Sequence, residues 1–165
     1  MQAREQLKYL ALHDPLTRLP NRTLFNDRIE QAILALDRTP NNFVAVLFLD
    51  LDKFKEINDS YGHHVGDELL KAVSKRIASC LRQADTLCRL GGDEFAVLME
   101  ALDSKKEAIE IANRVVENVG APIELKTTTI HTSTSIGVSF CSSFQQSAQQ
   151  IIQQADEAMY GNKLS

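Results

Sequence analysis

The chain has 165 residues, of which 44% are hydrophobic and 24% charged, and its formal net charge is −4. This length fits one domain with a substantial core, and the acidic balance argues against a nucleic-acid-binding surface. Three cysteines without a CxxC spacing favour neither a disulfide framework nor a zinc site. Because no apolar run approaches the roughly 20 residues that span a bilayer and the first residues are too polar for a signal peptide, we expect a cytoplasmic domain. A membrane anchor in a longer parent protein stays open.

The N-terminal part of the chain is predicted to hold two helices separated by a turn. Residues 1–13 are expected to form the first helix, which ends at Asp14-Pro15 because the residue before a proline disfavours the α region. Asn21 follows a second proline and is expected to cap a helix that extends to about Arg38.

Residues 43–50 are apolar at both alternating positions, which predicts a central strand covered on both faces. Two glycines, Gly91-Gly92, lie between two apolar strands and favour a tight hairpin, since primed turns need positive φ. Gly137 indicates a bulge or a close backbone approach within a late strand. The other predicted elements are helices over 53–59, from Leu69 to Leu81, over 104–119 and over 147–162, and strands over 86–90, 94–99, 123–125 and 129–140. This interleaving predicts an α/β or α+β fold, a sheet packed by helices.

Four carboxylates are expected to meet at one edge of that sheet. Asp50 and Asp52 close the central strand, and Asp93 and Glu94 follow the glycine pair. If the hairpin pairs beside the central strand, these oxygens converge and favour a hard cation such as Mg²⁺, which often takes one or two protein carboxylates plus phosphates. The alternative is that Asp50 and Asp52 serve the start of the next helix and that Gly-Gly-Asp-Glu is only a turn.

A second set of polar residues follows the central strand, namely Lys55, Asn58, His63 and Asp67. Asn and Asp side chains offer donors and acceptors suited to a base edge, and the lysine is placed to meet a phosphate. The alternative is a solvated helix followed by a glycine-rich turn.

The order of these motifs resembles one known family. Gly91-Gly92-Asp93-Glu94-Phe95 is the signature of the GGDEF domain of diguanylate cyclases. Further matching segments are Asp14 to Arg22, Leu49 to Lys55, Ile57 to Asp59, Gly62-His63, Gly66-Asp67, Ser135 to Val138, and Ala155 to Tyr160 with Lys163. Arg18 departs from the pattern, because glycine is common at that position.

The resemblance implies a mostly antiparallel central sheet packed by helices, similar to that of nucleotidyl cyclases and polymerase palms, with the signature on a β-hairpin. It implies that Asp50, the backbone carbonyl of Leu51 and Asp93 hold two Mg²⁺ ions, or Mn²⁺ in their place, against the triphosphate of GTP. Asp93 is similar to the proton acceptor for the ribose 3′-hydroxyl, and Glu94 to a second ligand or support.

The same resemblance implies roles for the helical residues. Asn58 and Asp67 would read the guanine, with His63 nearby. Lys55 would stabilise the transition state at the phosphates, and Lys163 would make a second phosphate contact.

Arg82-Gln83-Ala84-Asp85 resembles the RxxD site at which the family's product, cyclic di-GMP, binds and inhibits. Arg82 and Asp85 are therefore candidate product-binding residues, since arginine suits bidentate phosphate contacts. The alternative is an arginine at a helix C-terminus, where it would interact favourably with the helix dipole.

Together the resemblance implies a diguanylate cyclase whose two GTP-bearing domains meet as a homodimer, with residues 1–13 a linker helix and 14–165 the GGDEF domain. Leu19 to Arg22 with Leu24-Phe25 and Asp27-Arg28 resembles GGDEF domains joined to EAL phosphodiesterase domains. We thus expect a linked sensory or phosphodiesterase domain and no nucleic-acid partner. Three alternatives stay open: a silent GTP-binding module that regulates a phosphodiesterase, a cyclic di-GMP receptor, and a different magnesium-dependent nucleotidyltransferase.

Overall fold

A computed structural model describes residues 2–143 and 146–164, with side chains described as far as residue 161. The helices are α1 (Ala3–Leu12), α2 (Arg22–Ala35), α3 (Phe54–Tyr61), α4 (His63–Ser79), α5 (Lys105–Gly120) and α6 (Ala148–Leu164). The strands are β1 (Phe43–Leu51), β2 (Thr86–Gly91), β3 (Glu94–Leu102), β4 (Ile123–Glu124), β5 (Thr129–Ile130) and β6 (Thr134–Cys141). A 3-10 turn, Leu36–Arg38, follows α2. None of the helices in the described part of the chain is long and apolar enough to cross a membrane.

The central sheet has four strands in the order β2-β3-β1-β6, and each pairing is antiparallel. The fold is thus the predicted antiparallel sheet packed by helices, with β1 inside it. Alternate β1 residues enter two different cores. Ala45, Leu47 and Leu49 pack with α4 and α5, whereas Val44, Val46 and Phe48 pack with α2 and α6. The doubly apolar pattern of residues 43–50 reflects this burial on both faces.

The prediction of one strand over residues 129–140 is wrong. β5 ends at Ile130 and pairs only with β4, and β6 begins at Thr134. Between them the chain turns onto the end of β1: the Asp52 amide donates to the Ser133 carbonyl at 2.8 Å, and Thr132 Oγ1 donates to the Asp52 carbonyl at 3.3 Å. These bonds between residues about 80 positions apart divide a segment that looks continuous in the sequence.

Gly137 marks a close approach of α6 to the sheet. A Cβ at this position would lie 2.0 Å from the Ala155 carbonyl oxygen and 2.2 Å from the Met159 amide nitrogen. The β1–β6 register continues without a shift from Val44 to Leu51, so the bulge alternative is wrong and the close-approach alternative is confirmed. The glycine therefore lets α6 lie directly on β6, with its C-terminal half next to the Asp50 end of β1.

The turn between α1 and α2, residues 13–21, is held by local bonds. Asn21 caps α2 as predicted, because its Oδ1 accepts from the Leu24 amide at 3.1 Å. The Asn21 amide donates to the Leu12 carbonyl, and the Asp14 amide donates to the Leu19 carbonyl. Arg18 adopts a positive φ of 66°, which explains why glycine suits this position. We call residues 13–21 the N-terminal turn.

Candidate active site

The β1–β3 register brings three of the four predicted carboxylates together. Asp50, near the end of β1, lies opposite Glu94, the first residue of β3. Asp93 directly precedes Glu94 in the hairpin turn, where Gly91 and Gly92 have φ of 145° and 49°. The turn thus uses the conformational freedom of both glycines, as the sequence predicted.

The pKa of Glu94 is raised by its surroundings, which include the neighbouring carboxylates. Burial raises the pKa of Glu94, and the neighbouring carboxylates of Asp93, Asp156 and Asp50 raise it further, while Arg22 opposes them. Asp156 comes from α6 and Arg22 from the start of α2, so four elements contribute charge to this corner of the sheet. A cavity of about 480 Å³ opens beside Glu94, between α2 and α6. A cation bound here would relieve the repulsion among these carboxylates.

The donor set fits a hard divalent cation. Asp50, Asp93 and Glu94 offer carboxylate oxygens, and Leu51 follows Asp50 at the end of β1 and offers a backbone carbonyl. Mg²⁺ needs only one or two protein carboxylates when phosphate oxygens complete its coordination. A cage of three or more His, Cys, Asp or Glu side chains is therefore not required, and residues 2–143 and 146–161 form none.

Asp52 has a different partner set from the one that the capping alternative predicted. Its carboxylate accepts hydrogen bonds from Ser133 Oγ at 2.7 Å and Ser135 Oγ at 3.5 Å, both on the β6 side. The N-cap position of α3 is instead held by Lys53, which has a positive φ of 61° and whose side chain makes no cap hydrogen bond. The capping role is thus wrong for Asp52, which fixes the end of β1 to the segment before β6.

Helices α3 and α4 bring Asn58 next to the residues around Asp67. The two helices meet at Gly62, whose φ of 91° ends α3 and starts α4. A Cβ on Gly66 would lie only 1.8 Å from Asn58 Oδ1, so the amide rests against the bare backbone of α4. Asn58 Oδ1 is buried and accepts no hydrogen bond from the residues that the structure describes. It is an acceptor in need of a donor, beside the exposed Asp67.

The remaining predicted residues lie around this site or outside the described side chains. Lys55, five residues after Asp50, is exposed in the first turn of α3. His63 is exposed at the first position of α4. Lys163 lies within α6, but its side chain is outside the described residues.

Arg82 and Asp85 do not join the other candidates. They precede β2, whereas the glycine pair lies at its far end, so about 20 Å of strand separates the two places. α4 ends at Ser79, and Arg82 bonds to Asp85, Glu107 and the Glu100 carbonyl rather than to the end of α4. The helix-terminus alternative is therefore wrong, and Arg82 is part of an ion-paired cluster.

Arg89 was not predicted from the sequence, yet it contacts the signature turn directly. Its Nε and Nη2 donate to the Gly92 carbonyl at 3.0 and 2.8 Å, and its Nη1 pairs with Asp14 Oδ1 at 2.9 Å. The exposed fractions of the Arg89 and Asp14 side chains are only 13% and 14%. Arg89 thus links the N-terminal turn to the turn that carries Asp93. An arginine two residues before the glycine pair was the available sequence signal.

Asp14 is held as a carboxylate in this link. Burial raises its pKa, but hydrogen bonds from the Thr17 amide and hydroxyl, together with Arg89, outweigh burial and lower the pKa overall. Both Thr17 bonds are 2.8 Å long and end on Oδ2, while Arg89 binds Oδ1. The two oxygens therefore serve two different segments.

Comparisons with known proteins identify similar sequences and structures. The family model described as "Diguanylate cyclase, GGDEF domain" matches residues 11–165. The chain is 45% identical over 161 residues to the bifunctional diguanylate cyclase/cyclic di-GMP phosphodiesterase MucR of Pseudomonas aeruginosa, covering 98% of this chain and 23% of MucR. It is 41% identical over 155 residues to the diguanylate cyclase TpbB of the same species, covering 93% of this chain and 35% of TpbB.

Two further matches extend the comparison. The cyclic di-GMP phosphodiesterase PdeR of Escherichia coli is 42% identical over 162 residues, covering 98% of this chain and 24% of PdeR. A solved structure of a truncated Pseudomonas aeruginosa TpbB that comprises only the GGDEF domain superimposes with a TM-score of 0.87 at 41% identity, covering 92% of this chain and 88% of that one. The chain thus spans about a quarter to a third of the length of these curated relatives.

Proposed function

The chain belongs to the GGDEF family of diguanylate cyclase domains, and on that premise we propose that it condenses two molecules of GTP into cyclic di-GMP and two of pyrophosphate. The observation that carries the proposal is the register that sets Asp50 opposite Glu94, with Asp93 next to them in the turn. Residues 14–165 form the catalytic domain in this proposal, and residues 1–13 form a linker helix.

The carboxylate corner would hold the metal. Asp50, the Leu51 carbonyl and Asp93 are the proposed ligands of Mg²⁺, or of Mn²⁺ in its place, with Glu94 as a further ligand or support. The raised pKa of Glu94 supports a site whose charge is balanced only when a cation is present. When bound, the metal neutralises phosphate charge and polarises the α-phosphate for attack.

The α3–α4 pair would hold the nucleotide. Asn58 Oδ1 and the Asp67 carboxylate are acceptors for the N–H donors of guanine, and the buried, unsatisfied Asn58 oxygen favours a ligand that donates to it. His63 lies near this base site. The first turn of α3 offers backbone N–H groups to phosphate, with Lys55 beside them. Lys163 is the proposed second phosphate contact.

The reaction needs two domains face to face. The 3′-hydroxyl oxygen of one GTP forms a bond to the α-phosphorus of the other, pyrophosphate leaves, and Asp93 accepts the hydroxyl proton. Two such steps close the ring, so each domain presents one GTP and a homodimer is the active form. Product feedback at Arg82 and Asp85 completes the proposal, at a place well separated from the carboxylate corner.

A second function is favoured by one specific observation. PdeR, a relative at 42% identity, is named for phosphodiesterase activity, and MucR for both activities. A GGDEF domain linked to a phosphodiesterase domain can bind GTP and regulate its neighbour without forming product. In that case the carboxylate corner would bind Mg²⁺ and GTP but would not complete the condensation.

Nucleotide selectivity tests the proposal. The chain, joined to a dimerising coiled coil, is incubated with Mg²⁺ and either GTP or ATP, and the nucleotides are separated chromatographically. Cyclic di-GMP from GTP, with no cyclic dinucleotide from ATP, is the expected result. No cyclic dinucleotide from either nucleotide favours the regulatory module or the receptor over the cyclase, and equal use of ATP contradicts guanine recognition by Asn58 and Asp67.

A further inference from the structure

The guanidinium group of Arg82 is almost completely engaged within the chain. Its Nε and Nη2 donate to Asp85 Oδ1 at 3.0 and 2.8 Å, and Nη2 also donates to the Glu100 carbonyl at 2.8 Å. The Arg82 amide donates to the other oxygen of Asp85, at 2.8 Å. Because the Asp85 side chain is 0% exposed, its carboxylate holds Arg82 in place and is not open to a ligand in this arrangement.

The remaining guanidinium nitrogen, Nη1, is the one that an incoming anion can approach. It contacts Glu107 Oε1 of α5 at 3.3 Å. This contact is the exposed part of the cluster, because the Arg82 and Glu107 side chains are 30% and 38% exposed. Glu107 thus lies where a phosphate oxygen would bind Arg82.

We propose that Glu107 competes with the phosphate of the cyclic dinucleotide for Nη1 of Arg82 and so sets the product concentration at which feedback begins. This inference rests on the product site of the proposed function. Binding of an anion requires the Glu107 carboxylate to leave Nη1, and its negative charge then lies close to the ligand's own. Both effects weaken binding, whereas Asp85 bonds to Nε and Nη2 and need not move when an anion approaches Nη1.

Glu107→Gln removes the charge and keeps the size of the side chain. The ion pair is partly exposed, so we expect cyclic di-GMP to bind about two- to fivefold more tightly, the range that such pairs correspond to. The gain should shrink at high salt, because surface charges are then screened. Glu110→Gln is the matched control: this residue is on the same helix, 58% exposed, and its partner is Lys106 at 3.9 Å rather than Arg82.

The experiment is calorimetric titration of synthetic cyclic di-GMP into the native chain, Glu107→Gln and Glu110→Gln at 50 and 300 mM salt, with thermal unfolding of each. Tighter binding by Glu107→Gln alone, with a melting temperature within about 3 °C of the native value, supports the inference, as does binding by Glu107→Gln when the native chain binds none. Equal affinities in all three overturn it and leave product binding standing. No binding by any of the three overturns both the inference and the product site, while cyclase activity, measured separately, is unaffected by that outcome.

Discussion

Asp50 of β1 and Glu94 of β3 are directly opposed across two antiparallel strands. Opposed like charges normally destabilise a sheet. Burial raises the pKa of Glu94, and the carboxylates of Asp93 in the adjacent turn, Asp156 of α6 and Asp50 raise it further. The fold therefore concentrates negative charge at one sheet corner at some expense of stability, which is typical of a site that binds cations.

Glu94→Gln should stabilise the chain in the absence of divalent ions, because it removes one of the crowded charges. We expect a melting temperature about 1–3 °C higher, as roughly 0.5–1 kcal/mol produces in a domain of this size. The added stability that MgCl₂ gives the native chain should be smaller in the variant. Thermal unfolding with and without MgCl₂ checks both, with Glu117→Gln, an exposed residue of α5, as the control. A lower melting temperature for Glu94→Gln without ions would contradict the charge-crowding account.

Arg89→Ala should release the signature turn. It removes the ion pair with Asp14 and both bonds to the Gly92 carbonyl. Leaving a largely buried Asp14 unpaired should cost about 2–4 kcal/mol, and turnover should fall at least tenfold because the Asp93 turn is no longer fixed. Unfolding by denaturant and GTP turnover by the folded protein are the measurements.

Arg76→Ala is the control that separates an effect of Arg89 on the position of the Asp93 turn from an effect on the stability of the fold. Arg76 donates to the carbonyls of Asn118, Ala121 and Pro122 at 2.7–2.8 Å, at the end of α5. Its loss should destabilise the fold to a similar extent without changing turnover per folded molecule. Equal turnover losses in the two variants would mean that Arg89 acts only through stability.

The contribution of the Asp14–Arg89 ion pair to the free energy of unfolding should decrease at acidic pH. The pKa of Asp14 is lower in the folded chain than its ordinary value of 3.8, so its contribution to stability is present above that value. The contribution is lost as the pH falls from about 4 through the lowered folded pKa. Native and Asp14→Asn chains should therefore differ in unfolding free energy at pH 6 and converge as the pH falls below the lowered folded pKa. A difference that is independent of pH would exclude this role for the carboxylate.

Gly66→Ala should block the proposed base site while leaving the fold intact. The new Cβ would displace Asn58 Oδ1, which lies 1.8 Å from its position, and a side-chain end can move at low cost. Alanine is also the better helix former by about 1 kcal/mol. We expect GTP affinity to fall about tenfold or more, because the loss of one hydrogen bond to a buried group has this effect. The melting temperature should stay nearly native.

Gly120→Ala is the control for that substitution, because a Cβ there meets nothing within 4 Å. Calorimetric titration of a non-hydrolysable GTP analogue with Mg²⁺ provides the affinities. Native affinity in Gly66→Ala would contradict the assignment of Asn58 to the guanine.

Local patterns were sufficient to predict most elements of the fold. The alternating apolar residues of β1, the Asn21 cap and the glycine pair each act over a few residues, so the sequence predicts them well. The split between β5 and β6 was not predictable in this way, because it depends on bonds from residues 132 and 133 to Asp52.

The sequence indicates which residue types belong to the candidate site, but it does not predict the strand pairing and side-chain contacts that join them. The convergence of Asp50 with Glu94 depended on the pairing of β1 with β3, which sequence patterns left conditional. The bond of Arg89 to Asp14 joins residues 75 positions apart, and no short-range period encodes it. The contacts of Arg82 with Glu107 and with the Glu100 carbonyl likewise involve α5 and β3, which follow it in the chain.

The central claim is tested most directly by product formation from GTP at the carboxylate corner. The chain joined to a dimerising coiled coil and its Asp93→Ala variant are incubated with GTP and Mg²⁺, and cyclic di-GMP and pyrophosphate are quantified. The account predicts both products, two pyrophosphates for each cyclic dinucleotide, from the native chain and at least a hundredfold less from the variant. No cyclic di-GMP from the native dimer, or equal amounts from the two proteins, would contradict it.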